Sequence, residues 1–266
     1  MKLREALKEV LSEETLQKTN TKFETVGDIA ILELDEELRE DMKTIAQTLL
    51  QLHKNISVVV RKASEHEGEL RIQTYEHLAG EKRFETVAKE NGVELLLDIN
   101  KTYYSSKSQN ERLRIINQVQ PEERVLVMFS GIGPYSIAIA KNTQAKEVIG
   151  VELNKEANAY AQKNIQRNKT RNVQELHGDV EKIVPTLGLF ERIIMPLPHT
   201  ASNYLSLART ASKQQATIHL YCFCEEENIQ AYAQSLLEEG EEILAITQAG
   251  TYNPAKNRYC IDIQTS

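Results

Sequence analysis

Residues 125–135 read VLVMFSGIGPY, and residues 150–154 read GVELN. An apolar run leads into a Gly-x-Gly turn, a helix-like segment follows, and a second apolar run ends in a carboxylate. This order is typical of a nucleotide-cofactor site in a doubly wound α/β domain. Gly131 and Gly133 allow the backbone to approach a ligand closely, and Glu152 is placed to accept hydrogen bonds from two ribose hydroxyls. From the glycines alone, a plain tight turn between a strand and a helix is the alternative.

The spacing of the glycines also indicates which cofactor is bound. A dinucleotide fingerprint requires a third glycine at residue 136, where this chain has Ser136, so the pattern makes no provision for a pyrophosphate. The spacing suits a ligand with ribose and adenine but no phosphate, which points to S-adenosylmethionine. Asp179, after a third apolar stretch, is placed to accept a hydrogen bond from the adenine amine. The predicted cofactor-binding residues are Phe129, Gly131, Gly133, Glu152, Asp179, Pro196 and Pro198.

The prolines follow a fourth apolar stretch, in the sequence Pro196-Leu197-Pro198-His199. A proline-stiffened turn at the end of that strand would form one wall of the substrate pocket. The alternative is that the prolines simply end the strand.

Length and composition are those of a globular protein with more than one domain. At 266 residues, 41% of them apolar, the chain is long enough for one large domain and a smaller one. Neither a bilayer-spanning apolar run nor a signal peptide is predicted. The three cysteines, Cys222, Cys224 and Cys260, lack zinc-type spacing, so we expect neither disulfides nor a metal site, and we predict a reducing cytoplasm.

The charge of the chain is acidic overall but unevenly distributed. A net charge of −7 argues against nucleic-acid binding through overall basicity. Residues 157–174 nevertheless contain no acid, and phosphate contacts require only local cations. The basic residues of this segment are Lys163, Arg167, Lys169 and Arg171. Two further basic sets are Lys101, Lys107, Arg112 and Arg114, and Lys54, Arg61 and Lys62. An ordinary solvated face is the alternative for each set.

Hydrophobic periodicity predicts two domains, a small α+β domain over residues 1–106 and an α/β domain over residues 107–266. In the first domain we expect helices over 3–18 and 36–53. The strands expected there are 26–34, 57–61, 70–79, 83–88 and 93–99. A helix over 108–119 links the two domains. The strands predicted in the second are 125–129, 147–151, 173–177, 192–195, 216–223, 243–248 and 258–263. The helices predicted between them are 154–168 and 228–239.

Several of these segments, taken in order, match a known family. They include residues 26–33, 52–55, 68–71, 78–81 and 105–112, the Gly131 motif and residues 195–198. The chain resembles the archaeal and eukaryotic-type tRNA (guanine-N1)-methyltransferases that act on position 37, next to the anticodon. The resemblance implies a Rossmann-like class I methyltransferase domain preceded by a small α+β domain, both binding tRNA. It implies no membrane or protein partner, and we expect a monomer.

The resemblance also implies roles for individual residues. Glu111 would remove the proton from guanine N1, and Arg71 would stabilise the negative charge that develops on O6. The residues implied to bind the substrate are Lys107, Arg112 and Tyr135. From the residues alone, the favoured interpretation is a charged helix start for Glu111 and a sheet-face residue for Arg71, and it is the aligned motifs that favour the catalytic roles.

Three departures from the family pattern bear on rate and tRNA selectivity rather than on the fold. Pro196 takes the place of the usual Asn, Ser105-Ser106-Lys107 replaces Ser-Pro-Arg, and Val127 replaces an acid. An additional domain for the outer corner of tRNA is expected to be absent. Two other functions remain open: aminocarboxypropyl transfer in wyosine-type base synthesis, and a homologue that binds tRNA or cofactor without catalysis.

Overall fold

The computed structural model describes residues 2–64 and 72–266. The contacts divide the chain into two compact units, one of Met1–Lys89 with Leu96–Ser106 and one of Glu90–Leu95 with Lys107–Ser266. The domains predicted from the sequence differ from these units in the assignment of Glu90–Leu95. Each unit has its own hydrophobic core.

The first unit combines short helices with a four-stranded sheet. Its helices are α1 (Leu3–Leu7), α2 (Glu13–Lys18) and α3 (Met42–Leu52). Its strands are β1 (Phe23–Val26), β2 (Ile29–Leu32), β3 (Val58–Lys62), β4 (Tyr75–Gly80), β5 (Glu85–Glu90) and β6 (Val93–Asp98), the last two reaching into residues of the second unit. The sheet has the order β1-β2-β3-β4, and β5 pairs with β6. Leucine and isoleucine side chains of α3 pack on this sheet and form the core.

Three predictions for the first unit were wrong in detail. The helix expected over 3–18 is broken, because Ser12 accepts a hydrogen bond of 3.1 Å from the amide of Thr15 and so begins a second helix. The strand expected over 26–34 is a hairpin, since Gly27 has φ of +56° and Val26 pairs with Ile29 across the turn. The helix expected over 36–53 begins at Met42, after a 3-10 turn at Glu36–Leu38.

The second unit is built on a seven-stranded sheet. Its strands are β7 (Arg124–Met128), β8 (Glu147–Glu152), β9 (Val173–His177), β10 (Phe190–Met195), β11 (Ser212–Cys224), β12 (Glu242–Thr251) and β13 (Asn257–Gln264). Its helices are α4 (Gln109–Ile116), α5 (Pro134–Asn142), α6 (Lys155–Asn168), α7 (Val180–Ile183), α8 (Leu205–Thr210) and α9 (Ile229–Ser235). The strand order is β12-β13-β11-β10-β7-β8-β9; β13 pairs antiparallel with β11 and with β12, and the other pairs of the sheet are parallel.

This topology creates a crevice at the carboxyl end of β7. The chain moves outward through β8 and β9 on one side of β7 and returns to place β10 and β11 on the other. The loops that follow β7 and β10 therefore diverge, and ligands of open α/β sheets bind at such switch points.

The predicted α/β fold is confirmed. The linking helix is shorter than expected and ends at Ile116, and α7 and α8 were not predicted. Within the described ranges, no helix combines the length and apolar character that crossing a membrane requires.

Candidate active site

The loop after β7 has an unusual backbone. Phe129, Gly131 and Gly133 have φ of +60°, +60° and +83°, and the Phe129 value lies in the left-handed region that non-glycine residues rarely occupy. Pro134 follows as the first residue of α5. The amide of Ser130 donates a hydrogen bond of 3.0 Å to the carbonyl of Val151 on β8. Such local backbone strain is characteristic of ligand-binding positions.

Glu152 connects this loop to the end of β8. Its carboxylate accepts hydrogen bonds of 2.7 Å from the amide of Gly131 and 2.7 Å from the amide of Asn154. Burial raises the pKa of Glu152, and hydrogen bonds from the amides of Asn154, Gly131 and Leu153 oppose that shift. A carboxylate has about four acceptor positions, so a position remains for a ribose hydroxyl. The donor and acceptor set at this turn therefore fits S-adenosylmethionine.

Asp179 lies just beyond β9, at the same end of the sheet. The amide of Gly178 donates to the carbonyl of Glu152 at 2.8 Å, which brings the ends of β8 and β9 together. Asp179 caps α7, because one carboxylate oxygen accepts a hydrogen bond of 3.0 Å from the amide of Glu181. Its predicted contact with the adenine amine depends on the other oxygen and stays a prediction.

The proline turn after β10 lies beside the glycine turn. The amide of Leu197 donates to the carbonyl of Met195 at 2.9 Å, which closes a tight turn around Pro196. The segment continues into a 3-10 turn at Ala201–Tyr204. There the Tyr204 ring meets the Phe129 ring edge to face, with centroids 5.1 Å apart. Pro196 and Pro198 are half-buried, as a pocket wall would require.

Glu111 is buried at the start of α4 and belongs to a chain of hydrogen bonds. The Tyr135 hydroxyl donates to the Tyr221 hydroxyl at 2.9 Å, and the Tyr221 hydroxyl donates to Oε1 of Glu111 at 2.7 Å. Arg114 donates to both Glu111 oxygens at 2.8 and 2.9 Å and to Asp262 at 2.7 Å. Sequence reasoning missed Tyr221 and Arg114 as partners of Glu111 and Asp262 as a partner of Arg114, and no local pattern marks them.

Arg112 is not placed as a surface cation. It is 3% exposed and pairs through two nitrogens with the carboxylate of Glu90, which is 4% exposed. The Arg112 guanidinium also lies 5.9 Å from the centroid of the Tyr135 ring, which is itself buried. This placement disfavours direct contact of Arg112 or Tyr135 with RNA, and it gives both side chains a structural role beside Glu111.

The other residues predicted to contact substrate or phosphate differ from one another in exposure and in ion pairing. Lys107 is exposed, whereas Arg71 lies outside the described residues. In the first unit, Arg61 pairs with Glu36 and Glu76, so its charge is already compensated. The cations of the basic segment on and after α6 are all exposed, namely Lys163, Arg167, Lys169 and Arg171. Only Arg167 among these has a described ion pair, with Glu94 at 3.0 Å.

His219, Cys260 and Asp262 form a buried group whose potential ligand atoms lie within 4.8 Å of one another. His219 Nδ1 lies 2.7 Å from Asp262, and its Nε2 lies 2.7 Å from the guanidinium of Arg192. Arg114 binds the same Asp262 carboxylate, which lowers the pKa of that acid further. Two adjacent guanidinium groups oppose a metal cation, so we interpret the group as an ion-pair network.

The comparisons with known proteins agree with this geometry. A sequence profile for the TRM5/TYW2 methyltransferase domain matches residues 86–243, and one for the TYW2 N-terminal domain matches residues 3–83. The tRNA (guanine(37)-N(1))-methyltransferase Trm5b of Pyrococcus abyssi is 35% identical over 253 residues, covering 92% of this chain and 75% of the relative. The tRNA 4-demethylwyosine(37)-methyltransferase Taw21 of Saccharolobus solfataricus is 37% identical over 201 residues, covering 75% of this chain and 77% of the relative.

A solved structure supports the same assignment. The complex of aTrm5 with tRNALeu matches with a TM-score of 0.86 at 30% identity, over 100% of this chain and 78% of that chain. The predicted family, fold class and S-adenosylmethionine cofactor are confirmed. The chain belongs to the TRM5/TYW2 methyltransferase family.

Proposed function

We propose that this protein transfers a methyl group from S-adenosylmethionine to N1 of guanine at position 37 of tRNA. The 35% identity to Trm5b carries this proposal, because the aligned region covers 92% of the chain and so includes residues of both units. The site supports it chemically, since Tyr135, two residues after Gly133, leads through Tyr221 to the Glu111 carboxylate. A cofactor turn and a fixed proton acceptor are thus connected within the second unit.

The proton acceptor that we propose is Glu111. Bound S-adenosylmethionine supplies an electrophilic methyl group, and the attacking N1 must lose its proton as the new bond forms. Tyr221 and Arg114 occupy three acceptor positions of the carboxylate, which leaves one for the N1 proton. Arg114 also fixes the orientation of the carboxylate, because it donates to both of its oxygens. Arg71 is the residue proposed to stabilise the charge on O6.

A second candidate substrate is favoured by one comparison. The 37% identity to Taw21, a 4-demethylwyosine methyltransferase, suggests methylation of a tricyclic base at the same position of tRNA. The match of residues 3–83 to the TYW2 N-terminal domain favours aminocarboxypropyl transfer as a further alternative. These two alternatives use the same cofactor as guanine methylation. They differ from it in the group that is transferred or in the base that accepts the group.

Mass spectrometry of nucleosides distinguishes these reactions. The purified protein is incubated with S-adenosylmethionine and either an unmodified tRNA transcript or tRNA carrying 4-demethylwyosine. We expect 1-methylguanosine from the transcript and none from a transcript with adenosine at position 37. A methyl group found only on the tricyclic base would favour the second candidate. An aminocarboxypropyl mass, or no product on either RNA, would contradict methyl transfer by this chain.

We further propose that the protein acts on tRNA as a cytoplasmic monomer without a protein partner. Its three cysteines are free thiols, as expected in a reducing compartment. Light scattering during size-exclusion chromatography, with and without tRNA, tests the proposed stoichiometry of one protein per RNA.

A further inference from the structure

A buried carboxyl group lies beneath the cofactor turn. Glu175, on β9, is 2% exposed. Its Oε2 accepts a hydrogen bond of 2.5 Å from the Ser130 hydroxyl, and its Oε1 is hydrogen-bonded to the Ser136 hydroxyl. Ser130 directly precedes the Gly-x-Gly turn, and Ser136 lies in the first turn of the helix that follows it. A single side chain from a neighbouring strand therefore joins both ends of the turn.

The glycines of the site leave room for this carboxyl group. A Cβ atom at Gly150, in the middle of β8, would lie 2.1 Å from Oε2 of Glu175 and 2.4 Å from its carboxyl carbon. A Cβ atom at Gly133 would lie 3.2 Å from Oε1 of Glu175. Glycine weakens a strand interior unless another group must approach the backbone closely. Gly150 is therefore explained by the position of Glu175.

The surroundings of Glu175 favour its neutral form. The pKa of Glu175 is raised to about 7, chiefly by burial and also by the charge of Glu152 on β8, while hydrogen bonds from the two serine hydroxyls oppose the shift. The groups that contact it from the loop and from α5 are the neutral Ser130 and Ser136, while Gln162 of α6 donates to its backbone carbonyl at 2.6 Å. Glu175 thus changes charge near neutral pH, next to the cofactor turn.

We propose that Glu175 is a positioning residue that fixes the Gly-x-Gly turn through Ser130 and Ser136, and that its ionisation strengthens binding of the positively charged cofactor. S-adenosylmethionine carries a sulfonium charge, which a nearby carboxylate attracts. The demethylated product, S-adenosylhomocysteine, lacks this charge and should respond less to the ionisation of Glu175. This inference rests on the cofactor and not on the base that is methylated, so it can fail independently of the proposed function.

Calorimetry of cofactor binding at pH 6.0 and pH 8.5 tests the proposal. The proteins compared are the wild type, Glu175→Gln, which keeps the hydrogen-bonding capacity without the charge, and Glu147→Gln. Glu147 lies at the opposite end of β8 and pairs with Arg124, so it is the matched control. Titration of the ligand itself is common to all three proteins and cancels when dissociation constants are compared at each pH.

We expect Glu175→Gln to bind S-adenosylmethionine like the wild type at pH 6.0 and at least about threefold more weakly at pH 8.5. For S-adenosylhomocysteine the difference between the two proteins should be smaller, and Glu147→Gln should follow the wild type. Equal affinities of wild type and Glu175→Gln at both pH values would overturn the role of the charge.

A second variant tests the positioning role and does not depend on the folding of Glu175→Gln. Ser136→Ala removes one of the two bonds to the carboxyl group but leaves its charge. We expect weaker binding of both ligands by roughly fivefold to tenfold, at both pH values, with the pH dependence retained. Unchanged affinity in Ser136→Ala would overturn the positioning role, since the turn would then hold its shape without the bond that ties α5 to Glu175.

Discussion

The Tyr221 hydroxyl of β11 donates a hydrogen bond of 2.7 Å to Oε1 of Glu111 on α4, across 110 residues of sequence. Tyr221 accepts in turn from Tyr135 on the helix that follows the glycine turn. Burial raises the pKa of both phenols, so both remain neutral donors across the physiological range. Two neutral phenol hydroxyls therefore connect the Glu111 carboxylate to the helix that follows the cofactor loop, and they fix its orientation.

Replacing Glu111 with Gln should reduce methylation without preventing binding. An amide cannot accept the N1 proton, so we expect the single-turnover rate to fall by roughly 10²-fold or more while cofactor and tRNA affinities are retained. Rapid quench with a labelled methyl donor measures the rate. A near-normal rate would remove Glu111 from the mechanism and leave the family assignment intact.

Tyr221→Phe is a finer test of the same site. It removes the hydrogen bond that orients Glu111 and keeps the aromatic ring in the core. We expect a loss of roughly tenfold in the single-turnover rate, smaller than that of Glu111→Gln, because the base is still present but less well held. A loss confined to cofactor affinity would show instead that Tyr221 acts through Tyr135 and the glycine turn.

Replacing Glu152 with Ala should weaken cofactor binding. The change leaves a ribose hydroxyl without its acceptor and also frees the amide of Gly131. We expect a loss of about 1–3 kcal/mol in binding free energy, measured by calorimetry. Glu226→Ala, at an exposed position outside the site, is the control and should bind normally. Unchanged affinity in Glu152→Ala would remove our assignment of the cofactor site.

The buried pair of Arg112 and Glu90 should matter for stability more than for RNA binding. Arg112→Ala removes the guanidinium that binds the buried Glu90 carboxylate, so we expect the free energy of unfolding to fall by about 3–5 kcal/mol. Urea denaturation measures this loss. The double variant Arg112→Met with Glu90→Leu should regain much of the stability, because no buried charge is left unpaired. A stable Arg112→Ala protein with weakened tRNA binding would instead restore Arg112 as an RNA contact.

Glu175 should make stability depend on pH. Its pKa is about 7 in the folded protein, against 4.5 for a glutamic acid side chain exposed to water, so the folded state holds the proton more tightly. The stability from this group is complete below pH 4.5 and is lost as pH rises through about 7. The loss amounts to about 3 kcal/mol at most. Unfolding free energies of the wild type minus those of Glu175→Gln should fall across this window, and a constant difference would contradict the shifted pKa.

The basic segment on and after α6 makes a separate prediction about tRNA. Neutralising Lys163, Lys169 and Arg171 together should weaken binding and reduce the slope of log affinity against log salt by about one unit for each phosphate that the variant no longer neutralises. Arg167→Gln should have a smaller effect, since Arg167 already pairs with Glu94. Filter binding between low and moderate salt measures the slope, and an unaltered slope would make this segment an ordinary solvated face.

The parts of the site that lie within one short segment were predictable from the sequence. Gly131, Gly133 and Glu152 follow from local spacing, because a strand, a tight turn and the end of the next strand recur in a fixed order. Ser12 also carries a helix-start signal, being followed by Glu13 and Glu14, although periodicity alone predicted one continuous helix there.

The long-range partners could not be predicted in this way. Asp262 lies 148 residues from Arg114, and nothing in the sequence near either residue indicates their contact. Hydropathy places charged side chains in solvent, so Arg112 was predicted to be a surface cation although Glu90 neutralises it in the interior. The burial of Glu175 was not predicted for the same reason, since an acid on a strand is ordinarily assigned to the exposed face.

The close approach of Glu175 to Gly150 has an evolutionary consequence. Neither residue can change freely while the other is kept, since any side chain at residue 150 would occupy the space of the carboxyl group. A relative that carries alanine or a larger residue there must have a shorter side chain at the position of Glu175, and the two serine hydroxyls would then need another partner. Positions 130, 136, 150 and 175 should therefore vary together among the descendants of one ancestral sequence, as a single inherited unit.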